Sequence, residues 1–78
     1  MKIEILDHAR KRMEIYDVSE ALVKETIEKP DSIADGYNNR KIAQKKLNGY
    51  MLRVIYEEKN STKIVITIYK AKSGRYEI

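Results

Sequence analysis

The chain has 78 residues, enough for one hydrophobic core and not for a second domain. Its charged fraction is high at 36%, yet Ile, Val and Leu fall in regular runs, which excludes a disordered chain and favours a globular fold. Without Cys there is no disulfide framework and no thiolate metal site. The opening Met1 to Leu6 is too short and too alternating for a signal peptide, and no run approaches a membrane span, so the expected location is the cytoplasm, away from membranes.

The formal charge of +4 hides an asymmetry. Residues 1 to 39 carry six Lys/Arg and nine Asp/Glu, a net of −3, whereas residues 40 to 78 carry ten Lys/Arg and three Asp/Glu, a net of +7. A positive half of this density favours phosphate backbones or an acidic protein partner through steering and counterion release. The plainer alternative is that Lys-rich strands keep a sheet edge soluble.

In chain order, Lys2 to Leu6 alternates, with Ile3 and Ile5 on one face, and reads as a short half-buried strand. Asp7 offers an N-cap oxygen for a helix from about His8 to Ile15, in which Ala9, Met13 and Tyr16 form one stripe and Arg10, Lys11 and Glu14 face solvent. Tyr16-Asp17 breaks it. Ser19 caps a second helix, with Glu20 placed against its dipole and Val18 and Val23 at the spacing of a hydrophobic staple. That helix buries Leu22, Val23, Thr26 and Ile27. It ends at Lys29 because the residue before Pro30 is disfavoured in helical geometry.

Ser32 to Asp35 reads as an edge strand, followed by turn chemistry at Asp35-Gly36 and Asn38-Asn39. Asn48-Gly49 between the extended runs Arg40 to Leu47 and Tyr50 to Glu57 predicts a two-residue type I′ hairpin. Such a loop pairs Leu47 with Tyr50, Lys45 with Leu52, Ala43 with Val54 and Lys41 with Tyr56 on one face, the more apolar one, expected to meet the helices. The other face pairs Lys46 with Met51, Gln44 with Arg53 and Ile42 with Ile55, and so displays Gln44, Lys46 and Arg53 together. After a turn near Lys59-Asn60-Ser61-Thr62, the β-branched run Lys63 to Lys70 predicts a central strand buried on both faces. Ala71 to Ile78 is a polar tail. The expected fold is α+β: an N-terminal strand and a two-helix hairpin on an antiparallel, twisted sheet of three to four strands.

Two constellations are candidates for chemistry. Arg53 interrupts an apolar strand, and burying a guanidinium without a partner is costly, so it must face an open surface or a fixed anion and is a natural ligand for a phosphoryl group. The alternative is an ordinary surface pair with Glu57 or Glu58. His8 and Arg12, four apart on one helix face, form a second candidate site for a phosphate or carboxylate; the structural alternative pairs Arg12 with Glu4 or Glu28. Tyr56 and Tyr69 read as packing residues, while Tyr37, Tyr50 and Tyr76 flank turns or the tail, where stacking on bases is available. No Gly-rich phosphate loop and no spaced metal-ligand set is present, and no cofactor is expected.

The opening His8-Ala9-x-x-Arg12-Met13, Pro30 after the second helix, the strand Arg53-Val54-Ile55-Tyr56 and the closing Thr67-Ile68-Tyr69 together resemble the RelE/ParE-like toxin superfamily, and within it a branch of unknown function, over nearly the whole chain. The resemblance implies a compact toxin-like domain and, in RelE-like members, metal-independent cleavage of messenger RNA on the ribosome, in which the ribose 2′-hydroxyl attacks its own phosphate. It also implies an antitoxin protein as partner, with RNA or the ribosome as target; ParE-like members inhibit gyrase instead. Carried onto this chain, Arg53 matches the strand arginine that stabilises phosphate charge, and Arg53, Lys46 and Tyr76 form the expected catalytic group. Lys41, Lys45, Gln44, Lys70 and Arg75 form the expected RNA- or phosphate-binding group, with His8 and Arg12 as the alternative site. No Glu lies in Arg40 to Leu47 and no His near the C-terminus, so an obvious general base of neutral pKa is missing. A lysine could serve only with its pKa lowered by basic neighbours. A non-catalytic basic module that binds nucleic acid or an acidic protein is the competing expectation.

Overall fold

A computed structural model describes residues 2–72, with the element order β1 (Lys2–Ile5), α1 (Asp7–Tyr16), α2 (Glu20–Glu28), β2 (Ser32–Asp35), β3 (Lys41–Leu47), β4 (Tyr50–Lys59) and β5 (Thr62–Lys72). The fold is α+β, and its sheet has five strands in the order β1-β5-β4-β3-β2. It is mixed rather than antiparallel. β1 joins β5 in parallel, Ile3 opposite Lys63 and Ile5 opposite Val65, while every other neighbouring pair is antiparallel. The difference from the expected three- to four-stranded antiparallel sheet lies in this long-range pairing, for which no local turn signal exists.

Both helices cover one face of the sheet. Ala9 and Met13 of α1 and Val23 and Ile27 of α2 share a core with Ala43, Leu52, Val54, Tyr56, Val65 and Ile68, and Leu22, Leu47 and Tyr50 pack at its rim. Burying these apolar faces is the dominant favourable term in folding. Burial of the Tyr56 ring, reinforced by Glu58, pushes its phenol pKa above the ordinary value.

The helix ends follow local chemistry with one departure. Asp7 does not cap α1: the cap position falls on Leu6, which makes no side-chain cap bond, and Asp7 sits in the first turn, where its charge complements the helix dipole. Asp17 closes the helix in the left-handed region (φ 55°), with the Val18 N–H donating to the Met13 carbonyl at 2.8 Å. Ser19 caps α2, its Oγ accepting from the Leu22 N–H at 3.1 Å. Lys29 stands at φ −134° ahead of Pro30, so α2 stops there. Arg10 of α1 pairs with Glu20 of α2 at 2.9 Å; that hydrogen bond, helped by Lys24, holds the Glu20 carboxyl below its usual range.

The β3–β4 register is the one the two-residue loop demands, from Leu47 opposite Tyr50 to Lys41 opposite Tyr56. The loop itself is not type I′, because Gly49 takes a positive φ (78°) and Asn48 does not. The doubly left-handed pattern appears instead at Asn60-Ser61 (φ 49° and 64°), between β4 and β5, and at Asn38-Asn39 (57° and 63°). β5 is less buried than its composition implies. A register shift between Ile55 and Tyr56 leaves Ile66 without a partner in β4, so Val65 and Ile68, three apart, both face the helices while Thr67 and Tyr69 turn to the other side. No described helix is long and apolar enough to cross a membrane.

Candidate functional site

The sheet face away from the helices is laid out in cross-strand rows by the register. One row runs Ala34, Ile42, Ile55, Thr67, the next Ser32, Gln44, Arg53, Tyr69, and the next Lys46, Met51, Ala71. The one-residue bulge at Ile66 is what puts Tyr69 opposite Arg53 on this face. Without that shift Ile68 would stand opposite Arg53.

Arg53 is half-buried, and its Nη1 donates to the Tyr69 hydroxyl, with Cζ 5.3 Å from the Tyr69 ring centre. The ring contact and the hydrogen bond together fix a planar, permanently charged group in place. Its described partner is therefore Tyr69, not Glu57 or Glu58. Glu57 instead accepts from Arg40 Nε at 3.1 Å. Tyr69, expected as a packing residue, packs across the strands against Arg53, a pairing not legible in the sequence.

Of the residues expected at a phosphate site, the structure brings together only some. Lys46 is exposed on the Arg53 face, one row away, about 7 Å along the strand. Its backbone N–H is held by Asp31 Oδ2 at 2.7 Å, and its side chain makes no ion pair among the described residues. Gln44 shares the face but is buried, its amide donating to the Ser32 hydroxyl at 3.1 Å. Lys41, Lys45 and Lys70 belong to the helix side of the sheet by register. Lys41 pairs with Asp35 (3.5 Å), Lys45 reaches Glu25 of α2 (3.6 Å) and donates to the Lys29 carbonyl, and Lys70 lies 4.4 Å from the Tyr50 ring centre. Arg75 and Tyr76 lie outside the described residues.

The alternative site is divided. His8 is exposed on α1, whereas Arg12 turns inward, donating from Nη2 to the Tyr16 hydroxyl (3.1 Å) and from Nε to the Ile68 carbonyl (3.4 Å), with Cζ 5.1 Å from the Tyr16 ring centre. Neither Glu4 nor Glu28 is its partner. β1 pairs with β5 only as far as Val65, so the Ile68 carbonyl lies on an edge that no strand covers among the described residues, and Arg12 supplies it with a donor. That geometry gives Arg12 a structural task. Among the described residues no cluster of three His, Asp or Glu side chains is placed to hold a metal ion.

Residues 5–70 match the family described as a domain of unknown function (DUF4258), and the chain belongs to that family. No curated protein and no solved structure matches it.

Proposed function

We propose that the chain is a RelE/ParE-like domain that engages RNA through the sheet face away from its helices, as the toxin of a toxin–antitoxin pair that cleaves messenger RNA without a metal. The observation that carries this reading is the Arg53–Tyr69 pair, a guanidinium fixed by an aromatic hydroxyl on a sheet surface with Lys46 beside it. A guanidinium held in one orientation meets a phosphate at little entropic cost and stabilises the charge that builds on a pentavalent phosphorus.

In the reaction, the ribose 2′-hydroxyl gives up its proton, its oxygen attacks the adjacent phosphorus, and the bond to the 5′-oxygen of the next nucleotide breaks. The products are a 2′,3′-cyclic phosphate and a 5′-hydroxyl. Arg53 and Lys46 hold the phosphate. Tyr69, whose phenol oxygen accepts from Arg53, is the group on this face to protonate the departing 5′-oxygen; Tyr76 or a lysine, in its deprotonated form, takes up the 2′ proton.

A second reading, a basic module that binds without cutting, is favoured by one observation: the chain's single His lies on α1, across the sheet from Arg53. The test expresses wild type, Arg53→Ala and Tyr69→Phe, and follows growth arrest and cleavage of translated messenger RNA in magnesium and in EDTA. Cleavage that persists in EDTA and disappears in Arg53→Ala supports the toxin reading. Salt-dependent binding of RNA without cleavage in either condition replaces it with the binding module.

A further inference from the structure

An antiparallel sheet with one face open to water commonly carries polar residues on that face. The face of this sheet away from the helices does so only in part. Toward the β2–β3 loop its row Ala34, Ile42, Ile55, Thr67 is apolar across four strands, and Ile42, Ile55 and Thr67 line a shallow groove of about 270 Å³ with Tyr37 and Tyr69. The row beyond it runs Arg40, Glu57, Ile64, Glu4. Arg40 Nε donates to Glu57, Glu57 stands opposite Ile64, and Ile64 stands opposite Glu4 of β1.

The loop that carries Tyr37 is pinned. The Gly36 N–H donates to the Arg40 carbonyl at 2.8 Å and the Arg40 N–H to the Tyr37 carbonyl at 3.1 Å, and a Cβ at position 36 would press on the Arg40 carbonyl at 3.3 Å. Tyr37 is nevertheless 91% exposed and contributes almost nothing to the core. A tyrosine fixed in water on a rigid loop is the kind of residue that anchors protein interfaces, because little entropy is lost when it is covered. Charge indicates what covers it. The outer row is cationic at its β3 end and anionic at its β1 end, where exposed Glu4 makes no ion pair among the described residues. A surface of one sign suits nucleic acid or an oppositely charged protein, whereas a row with opposite signs at its two ends complements itself when reversed.

We infer that this face binds a second copy of the chain, the two sheets packing face to face about a two-fold axis that runs along the strands between β4 and β5. That operation reverses the strand order, so Arg40 of each copy lies over Glu4 of the other, and Ile55 over Thr67 of the other. The area sets the strength. Two rows about 7 Å apart over four strands about 4.8 Å apart cover roughly 300 Å², and the Tyr37 ring adds about 200 Å². Both copies together then bury about 1,000 Å², the lower limit of a specific interface, so the dimer is weak and forms at about tens of micromolar. Its contacts involve neither Arg53 nor RNA. Packed so, it shields the adjoining Arg53 row, which makes a second copy and RNA alternatives on one face.

The test is sedimentation equilibrium of the full chain from about 5 µM to about 1 mM, in about 0.15 M salt to screen the repulsion between copies of net charge +4. Wild type is expected to dimerise. Glu4→Arg and Arg40→Glu, each alone, set like charges against each other twice per dimer and are expected to weaken it by more than about ten-fold. An equimolar mixture of these two variants restores opposite charges at both contacts and is expected to associate like wild type. Tyr37→Ala is expected to weaken the dimer about ten-fold. Glu4 and Tyr37 are exposed, so their variants should melt like wild type. Wild type that stays monomeric throughout, Glu4→Arg or Tyr37→Ala that associates within two-fold of wild type, or a mixture no tighter than its components overturns the dimer. Each of these outcomes leaves the RNA reading standing.

Discussion

The two faces of this sheet each hold an arginine against a tyrosine, and the pairs do different jobs. On the helix side Arg12 stacks on Tyr16 and bonds the Ile68 carbonyl, satisfying a backbone acceptor on the part of β5 that β1 does not reach. On the far side Arg53 bonds the next residue along, Tyr69, on a surface whose neighbouring row is an apolar groove. The lysines divide in the same way. Lys41, Lys45 and Lys70 are engaged by Asp35, Glu25 and the Tyr50 ring on the helix side, and exposed Lys46 stands on the far side. Among the described residues, the positive charge of the second half of the chain is therefore divided between the two faces of the sheet and does not make one basic surface.

Substitutions that separate stability from binding test this division. The largest expected effect on stability is on the helix side: Leu52 is fully buried there, and Leu52→Ala should cost about 2 to 5 kcal/mol in a urea melt. RNA affinity, normalised to the folded fraction, should not change, and a specific loss of affinity would break the division. Arg12→Ala removes the donor from the Ile68 carbonyl and should cost about 1 to 2 kcal/mol of stability, again with unchanged RNA binding. The smallest effect concerns alkaline pH. Folding raises the Tyr56 phenol pKa above its ordinary 10.0, so the fold holds the neutral form. Stability is then complete below about pH 10 and declines as the pH rises through the raised value, because the unfolded chain ionises first. Tyr56→Phe should flatten that alkaline limb of the stability curve, and an unchanged limb would show that Tyr56 is not its source.

Much of the fold is legible locally. The two residues Asn48-Gly49 determine every β3–β4 pair, down to Gln44 opposite Arg53, although Gly49 alone carries the left-handed angle. Ser19 and Pro30 set the bounds of the second helix through a cap bond and a steric exclusion that need no tertiary context. What the residues do not announce is long-range or hangs on a single inserted residue. The parallel pairing of β1 with β5 joins the two ends of the described chain. The bulge at Ile66 sits inside a run of β-branched residues, where no polar alternation marks the change of face, and it decides that Tyr69 and not Ile68 meets Arg53. For the same reason Arg12 and Arg53 looked like partners for glutamates: the tyrosine and carbonyl that they bond become neighbours only once β5 is in place. Arg53 is expected from the resemblance to toxin-like domains; its pairing with Tyr69 is visible only in the structure.

The most direct test of the central claim, that Arg53 and not the helix-side arginine meets phosphate, is the salt dependence of single-stranded RNA binding in wild type, Arg53→Ala and Arg12→Ala. Arg53→Ala should weaken binding about ten- to a hundred-fold and reduce the slope of log affinity against log salt by about 0.7, the contribution of one phosphate contact on a single strand, while Arg12→Ala matches wild type in both. Equal affinities and slopes in wild type and Arg53→Ala, or the same loss in Arg12→Ala, would contradict it.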